Sequence, residues 1–237
     1  MDFAVPLVRG HLVRRYKRFL ADVMLDDGRE VVTHCPNPGS MLGLAAPGQV
    51  VWLEPARGAG RKLDFGWRLV ELEGGGFAGI DTAVPNRIVA EALRAGRVAE
   101  LAGYPNVRPE VRYGAASRVD FLLTGAGLQD LYVEVKNVHL RRAGELAEFP
   151  DSVTARGTRH LHELAEMSRA GARAVMLYVV QRTDCRRMGF AADIDPVYAR
   201  AFVEARAAGV EALAYGTRIS TAAVTLGAAL PVAEPVG

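Results

Sequence analysis

Apolar and polar positions alternate in short runs over residues 1–81, the period-two pattern of β-strands half-buried on a sheet. The alternation predicts strands at His11–Leu25, Glu30–His34, Val50–Glu54, Trp67–Leu72 and Phe77–Asp81. Turn signals separate them: Asp26-Asp27-Gly28, the Pro/Gly-rich run Pro36–Gly48, Ala56–Gly60 and Gly74-Gly75-Gly76. Strands this short and this closely spaced suit a five-stranded closed barrel of the OB type. Past the triple glycine the period changes, which places a domain boundary near residue 82 and divides the chain into 1–81 and 82–237.

The second segment opens with Pro85-Asn86-Arg87 and a helical stripe over Ile88–Leu101, formed by Ile88, Ala92, Val98 and Leu101. A strand is expected over Val107–Tyr113, carrying Glu110, followed by strands Arg118–Leu123 and Leu131–Val138. His139–Phe149 reads as a polar loop ending in Pro150. A helix then runs from about Ser152 to Ala170, with Asp151 or Ser152 as its N-cap. Ala174–Gln181 is continuously apolar, as a strand covered on both faces should be. Asp195–Ala208 is a third helix with Pro196 in its first turn, and Glu211–Tyr215 is a last core strand before an apolar, Pro-containing tail. The order α-β-β-β-α-β-α-β describes a central mixed sheet with helices against it.

The chemistry gathers on the hairpin Ser117–Lys136. Folded symmetrically about Gly127, it places Asp120 directly opposite Glu134, with Lys136 two residues further along the same face. Opposed carboxylates repel, and a bound divalent cation removes the repulsion. Asp, then Glu-Val-Lys on the next strand, is the pattern of a metal-dependent phosphodiesterase. In that reading Asp120 and Glu134 hold Mg²⁺ or Mn²⁺, and Lys136 orients the attacking water or stabilises charge on phosphorus. A surface hairpin with a small ion-pair network fits the same short pattern. The chain's lysine usage favours the first reading, because only Lys17, Lys62 and Lys136 occur and every other basic side chain except histidine is arginine. Glu91, on the first helix, either faces this site or faces solvent. Arg156 and His160 are i, i+4 neighbours on the second helix, read equally as groups presented to a phosphate or as a solvated basic face.

Composition narrows the classes. At 237 residues the chain can bury one large core or two modest ones. The net charge of +2 means an anionic partner must be met by local basic patches. Arg14, Arg15, Tyr16, Lys17 and Arg18 form such a patch. They read either as a nucleic-acid-binding face of the barrel or as an ordinary solvated strand with aromatics in the core. His34-Cys35-Pro36-Asn37-Pro38-Gly39-Ser40 lacks a second pair of ligands for zinc and reads as a Pro-fixed turn whose polar groups could contact a ligand. Two distant cysteines, no apolar leader and no membrane-length run predict a cytoplasmic protein with no membrane partner. Neither a Walker loop nor a helix-turn-helix or zinc-finger signature is present.

The chain resembles the bacterial and archaeal sugar fermentation stimulation protein A family. The likeness runs through RRYKRFLADV, HCPNPGSM, VPNRIVAEAL, VRYGAASRVDFLL, YVEVKNVHL, FPDSVTARGTRHLHEL and GVEALAY. It implies an OB-like amino-terminal domain and a carboxy-terminal PD-(D/E)xK nuclease-like domain. It also implies DNA as the partner, with RNA as a further candidate and a homodimer allowed by the fold. Under the resemblance Asp120, Glu134 and Lys136 match the nuclease-fold motif, with Val119-Asp120 in place of Pro-Asp. Glu91 would be the additional helix acid, and Arg156 and His160 the additional helix residues. The family's description stresses DNA binding and regulation of sugar (maltose) metabolism, so a non-catalytic regulator on a nuclease scaffold is the alternative to a metal-dependent nuclease.

Overall fold

The computed structural model describes residues 1–57, 62–114 and 117–235. The expected turn Ala56–Gly60 lies outside the described residues from position 58 onward, as do 115 and 116 of the segment before Asp120.

The amino-terminal sheet runs β1 (Val8–Tyr16), β2 (Leu20–Leu25), β3 (Glu30–His34), β4 (Val50–Pro55), β5 (Phe65–Glu71) and β6 (Phe77–Gly79). The spatial order is β3-β2-β1-β4-β5-β6, and β3 also pairs with β5 through Thr33–Phe65 and His34–Gly66. That pairing closes strands β1 to β5 into a five-stranded barrel around Leu12, Val23, Leu53 and Trp67, with β6 appended to β5. The strand expected over His11–Leu25 is in fact two. The chain reverses at Lys17 and Arg18, which take positive φ of 49° and 61°, and Tyr16 pairs with Leu20. No glycine announces this turn, so two bulky residues carry a left-handed conformation that costs each roughly 1–2 kcal/mol.

The second domain begins with α1 (Val84–Arg94), four residues before its apolar stripe, because Pro85 suits a first turn. The chain leaves α1 at Gly96, which takes positive φ, so the rest of the expected helix is only a 3-10 turn at Ala99–Leu101. Then follow β7 (Asn106–Tyr113), β8 (Ser117–Thr124), β9 (Leu131–Val138), β10 (Leu146–Phe149), α2 (Ala155–Arg169), β11 (Arg173–Val180), β12 (Arg187–Phe190), α3 (Pro196–Ala207), β13 (Glu211–Ile219) and β14 (Val224–Leu230). The mixed sheet has order β14-β13-β11-β9-β8-β7, with β9, β11 and β13 parallel. Strand β11 is apolar throughout because it is covered twice. Met176 and Tyr178 meet α2 and α3, and Val175 and Leu177 face the layer that holds α1.

Three further expectations are corrected. The loop His139–Phe149 contains β10, which pairs in parallel with β12, and the tail contains β14 on the sheet edge. Neither Asp151 nor Ser152 caps α2; Thr154 does, accepting the Gly157 N–H at 3.1 Å. Asp151 instead joins the two domains. Its Oδ2 accepts from the Met41 N–H at 3.3 Å, and Ser40 Oγ donates to its carbonyl at 2.8 Å. The His34–Ser40 turn is thus a docking element. It is held by Asn37 Nδ2 on the Ile80 carbonyl and by the Arg15 guanidinium on the carbonyls of Asn37 and Gly39.

Candidate active site

The sheet has a gap where the carboxylates meet. Phe121–Val133, Leu122–Tyr132 and Leu123–Leu131 follow the register symmetric about Gly127, which brings Asp120 level with Glu134. The ladder stops one pair short, at Phe121–Val133. On its other side the β7–β8 ladder skips the Glu110–Asp120 position, where Glu110 has φ of 54°. Asp120 is therefore unpaired by backbone on both sides. Its side chain fills the opening: Oδ2 accepts the Val135 N–H at 2.7 Å and Oδ1 accepts Asn86 Nδ2 at 2.6 Å.

Glu134 is buried, as is His160. Glu134 Oε1 meets His160 Nδ1 and accepts from Lys136 Nζ at 2.7 Å. Arg156 Nε donates to His160 Nε2 at 3.3 Å. A guanidinium has no lone pair to offer, so Nε2 is the imidazole acceptor and Nδ1 carries the proton that Glu134 accepts; Lys136 Nζ stands 3.1 Å from the same Nδ1 and donates to Glu134 instead. Glu134 Oε2 has no partner. Five of the residues picked from the sequence, Asp120, Glu134, Lys136, Arg156 and His160, thus stand together where β8, β9 and α2 meet.

Environment separates the two acids. Burial and the Glu134 charge push the Asp120 carboxyl up to about 6, against the opposing pull of the Val135 N–H, Lys136 and Asn86. Burial also pushes Glu134 up, but the bonds from His160 and Lys136 outweigh it and hold that carboxyl below its ordinary value. Neighbouring carboxylates whose environments push their pKa values apart mark a candidate site.

Glu91 is not brought to the gap. It is exposed and binds the Met1 ammonium at 2.8 Å. The helix residue that reaches Asp120 is Asn86, an amide in the first turn of α1 that has no charge to draw attention in the sequence. Glu163, on the same helix as Arg156 and His160, also stands beside the site. It is buried one turn after His160, accepts Ser117 Oγ at 2.7 Å, and has its second oxygen unpaired. Burial above all, then the charges of Glu134, Glu163 and Asp120 and the nearness of the Glu163 carboxylate, raise the Tyr113 pKa well above the ordinary tyrosine value, and its buried hydroxyl has no partner in hydrogen-bond geometry. Among the described residues, the only buried side-chain polar atoms without a partner are these three: Tyr113 Oη, Glu134 Oε2 and Glu163 Oε2.

The basic patch on the barrel is mostly occupied. Arg14 pairs with Asp22 at 2.6 Å and lies 5.0 Å from the Tyr16 ring centroid, and the Tyr16 hydroxyl donates to Asp22 at 3.0 Å. Arg15 is spent on backbone carbonyls. Lys17 and Arg18, at the hairpin tip, are exposed and hold no acid among the described residues, and Arg14 is exposed despite its pair with Asp22.

Comparison with known proteins agrees with this architecture. Residues 13–80 match the family description "SfsA N-terminal OB domain", and residues 83–223 match "Sugar fermentation stimulation protein RE domain". The chain is 64% identical to a sugar fermentation stimulation protein homolog of Dinoroseobacter shibae, covering 98% of this chain and 96% of that one. It is 56% identical to the homolog of Paramagnetospirillum magneticum, covering 97% of each. The structure of Pyrococcus furiosus SfsA in complex with Ca²⁺ superposes with a TM-score of 0.87 at 28% identity over 98% of both chains. No described helix is long and apolar enough to cross a membrane. An OB-type barrel joined to a mixed α/β domain, matched along nearly its whole length, shows that the chain belongs to the sugar fermentation stimulation protein family.

Proposed function

We propose that the protein is a divalent-cation-dependent phosphodiesterase that binds and cleaves nucleic acid, with DNA as its substrate class. The observation that carries this reading is the gap itself. Two carboxylates share it, one of them with a buried oxygen that nothing in the protein satisfies. An unsatisfied buried carboxylate oxygen costs several kcal/mol in an apolar setting, of order 1–3 or more, and a cation removes that cost.

The donor set fits a hard ion. Mg²⁺ and Mn²⁺ take carboxylate oxygens and complete their shells with water and phosphate oxygens. Among the described residues no group of three or more His, Cys, Asp and Glu side chains could hold an ion without such help. The Pyrococcus furiosus relative was solved with Ca²⁺, which supports a divalent ion as the group. Asp120 and Glu134 would hold it, and when bound it would polarise the phosphodiester and acidify a water.

The protein's own residues do the rest. His160 and Lys136 grip Glu134 Oε1 and leave Oε2 to the ion. Asn86 and the Val135 N–H orient Asp120. In hydrolysis, water adds to phosphorus as it gives up a proton to solvent, the bond to the leaving sugar oxygen breaks, and that oxygen takes a proton from solvent. The Lys136 ammonium neutralises charge growing on the phosphoryl oxygens. Arg156 uses Nε on His160, leaving its terminal nitrogens for a phosphate oxygen.

A second reading is a DNA-binding regulator of sugar (maltose) use that retains the scaffold without turnover. One observation favours it: Glu134 Oε1 is already engaged by both Lys136 and His160, as in a structural ion-pair network. Calorimetric titration of Mn²⁺ into wild type and Glu134→Ala separates the two. The phosphodiesterase reading expects binding that weakens by about tenfold or more in the variant. Equal binding in both proteins, or none in either, leaves the regulator.

A further inference from the structure

Beside the gap, the ladder pairs Arg112 of β7 directly with Arg118 of β8. Their neighbours settle which way they face. Tyr113 and Ser117 are buried, and Ser117 bonds to Glu163 on α2, so alternation sends both arginines to the opposite face, where they are exposed. Like charges directly opposite on antiparallel strands destabilise the sheet. Arg14, Arg68, Arg142, Arg173 and Arg182 each hold an acid, while others such as Arg94 and Arg159 hold none among the described residues. Arg112 and Arg118 hold none among the described residues. Asp120, two residues from Arg118, has each oxygen engaged by Asn86 or Val135, and Glu110, two residues before Arg112, bonds to neither arginine.

We propose that Arg112 and Arg118 form a phosphate clamp at the rim of the gap, gripping the backbone of the nucleic acid next to the scissile position. Opposed residues have Cα atoms about 4.5–5.5 Å apart, so two long guanidinium side chains can close on one phosphodiester from both sides. Each offers paired N–H donors that match phosphate oxygens. A polyanion thus supplies the charge that the ladder lacks. Two residues of strand, about 7 Å, separate Arg118 from Asp120, so the clamp stands beside Asp120 on the sheet face away from α2, while Glu134, Lys136 and His160 meet on the α2 face. The proposal rests on nucleic acid being the substrate class, but it does not depend on turnover.

The test is fluorescence anisotropy of labelled single-stranded and duplex DNA in EDTA, where cleavage cannot occur, over a salt series. Wild type, Arg112→Gln, Arg118→Gln, the double variant and Lys17→Gln/Arg18→Gln are compared. The clamp predicts about 3- to 10-fold weaker binding for each single variant at low salt. It also predicts a log–log salt slope shallower by about 1 for each arginine removed. Melting temperatures should be equal to or above wild type, because the opposed charges are relieved. Unchanged affinity and slope in the double variant, with a loss confined to Lys17→Gln/Arg18→Gln, would overturn it and leave the arginines as guards of an edge strand. A wild type that binds no DNA would also overturn it. Failed cleavage with Mn²⁺ alongside intact, arginine-dependent binding removes the catalytic reading and keeps the clamp.

Discussion

The carboxylate of Asp120 accepts the backbone N–H of Val135 at 2.7 Å, standing in for a ladder bond that neither neighbouring strand makes. The strands can therefore part without orphaning that donor. The same bond fixes one oxygen of Asp120 beside Glu134, so the opening of the sheet and the assembly of the site are one event.

The raised Asp120 pKa has a sign that can be checked. In the cation-free protein its folded value, about 6, lies above the ordinary carboxylate value of 3.8. Its contribution is fully present below that ordinary value and is lost as pH rises through 6. Asp120→Asn should therefore stabilise the cation-free protein at pH 7 by about 1–3 kcal/mol relative to wild type, and not at pH 4. Urea midpoints in EDTA at both pH values read this. Mn²⁺ affinity of the wild type should fall as pH drops from 7 to 5, because ion and proton compete for one carboxylate. A flat affinity profile would contradict the assignment.

Asp151 behaves in the opposite sense. Burial alone would raise it, but His139, the Met41 N–H and Ser152 hold it at about 2. Its stabilisation is present above pH 4 and lost as pH falls through 2. Asp151→Asn should cost about 1–3 kcal/mol at pH 7, and the difference from wild type should vanish near pH 2. Because Asp151 joins the barrel turn to His139, near the end of β9, loosened docking of the two domains should appear as faster amide exchange at Met41.

The barrel's basic residues divide by role. Arg15→Gln removes the donors that hold the carbonyls of Asn37 and Gly39 and should lower stability by about 1–3 kcal/mol. Lys17→Gln/Arg18→Gln should leave the melting temperature within about 2 °C, because surface substitutions usually stay near 0.5 kcal/mol. The reverse pattern would show that the turn is held by the hairpin tip instead.

Tyr113→Phe removes a buried hydroxyl that no protein atom satisfies. Deleting an unpaired buried polar group should be neutral or stabilising, by up to about 1–2 kcal/mol. A loss of that size in chemical denaturation would show that the hydroxyl is hydrogen-bonded in solution.

Alternation and one glycine made the Asp120–Glu134 register legible, because a single-residue slip would turn every apolar side chain of the hairpin outward. The continuous apolar run of β11 declared a doubly covered strand for the same kind of reason. The reversal at Lys17-Arg18 was hidden, since its left-handed residues are not glycines and its polar–apolar pattern runs on unbroken. The barrel still reaches five closed strands, because the extra strand made there replaces Phe77–Gly79, which lies outside the closure. Asn86 was hidden because an amide on a helix carries no charge pattern. Glu163 was hidden because its burial comes from tertiary packing against β7 and β8. Glu91 drew attention as an acid on the right helix, yet it sits more than a turn beyond Asn86, on a face that meets the amino terminus.

The decisive comparison is cleavage of plasmid and single-stranded DNA with Mn²⁺ by wild type and by Glu134→Gln of matched melting temperature. Wild type should cut both in a reaction that stops with EDTA and falls at least about 100-fold in the variant, while EDTA-state DNA binding is unchanged. Equal scission by both proteins, or none by wild type on either substrate despite bound Mn²⁺, would contradict the phosphodiesterase reading.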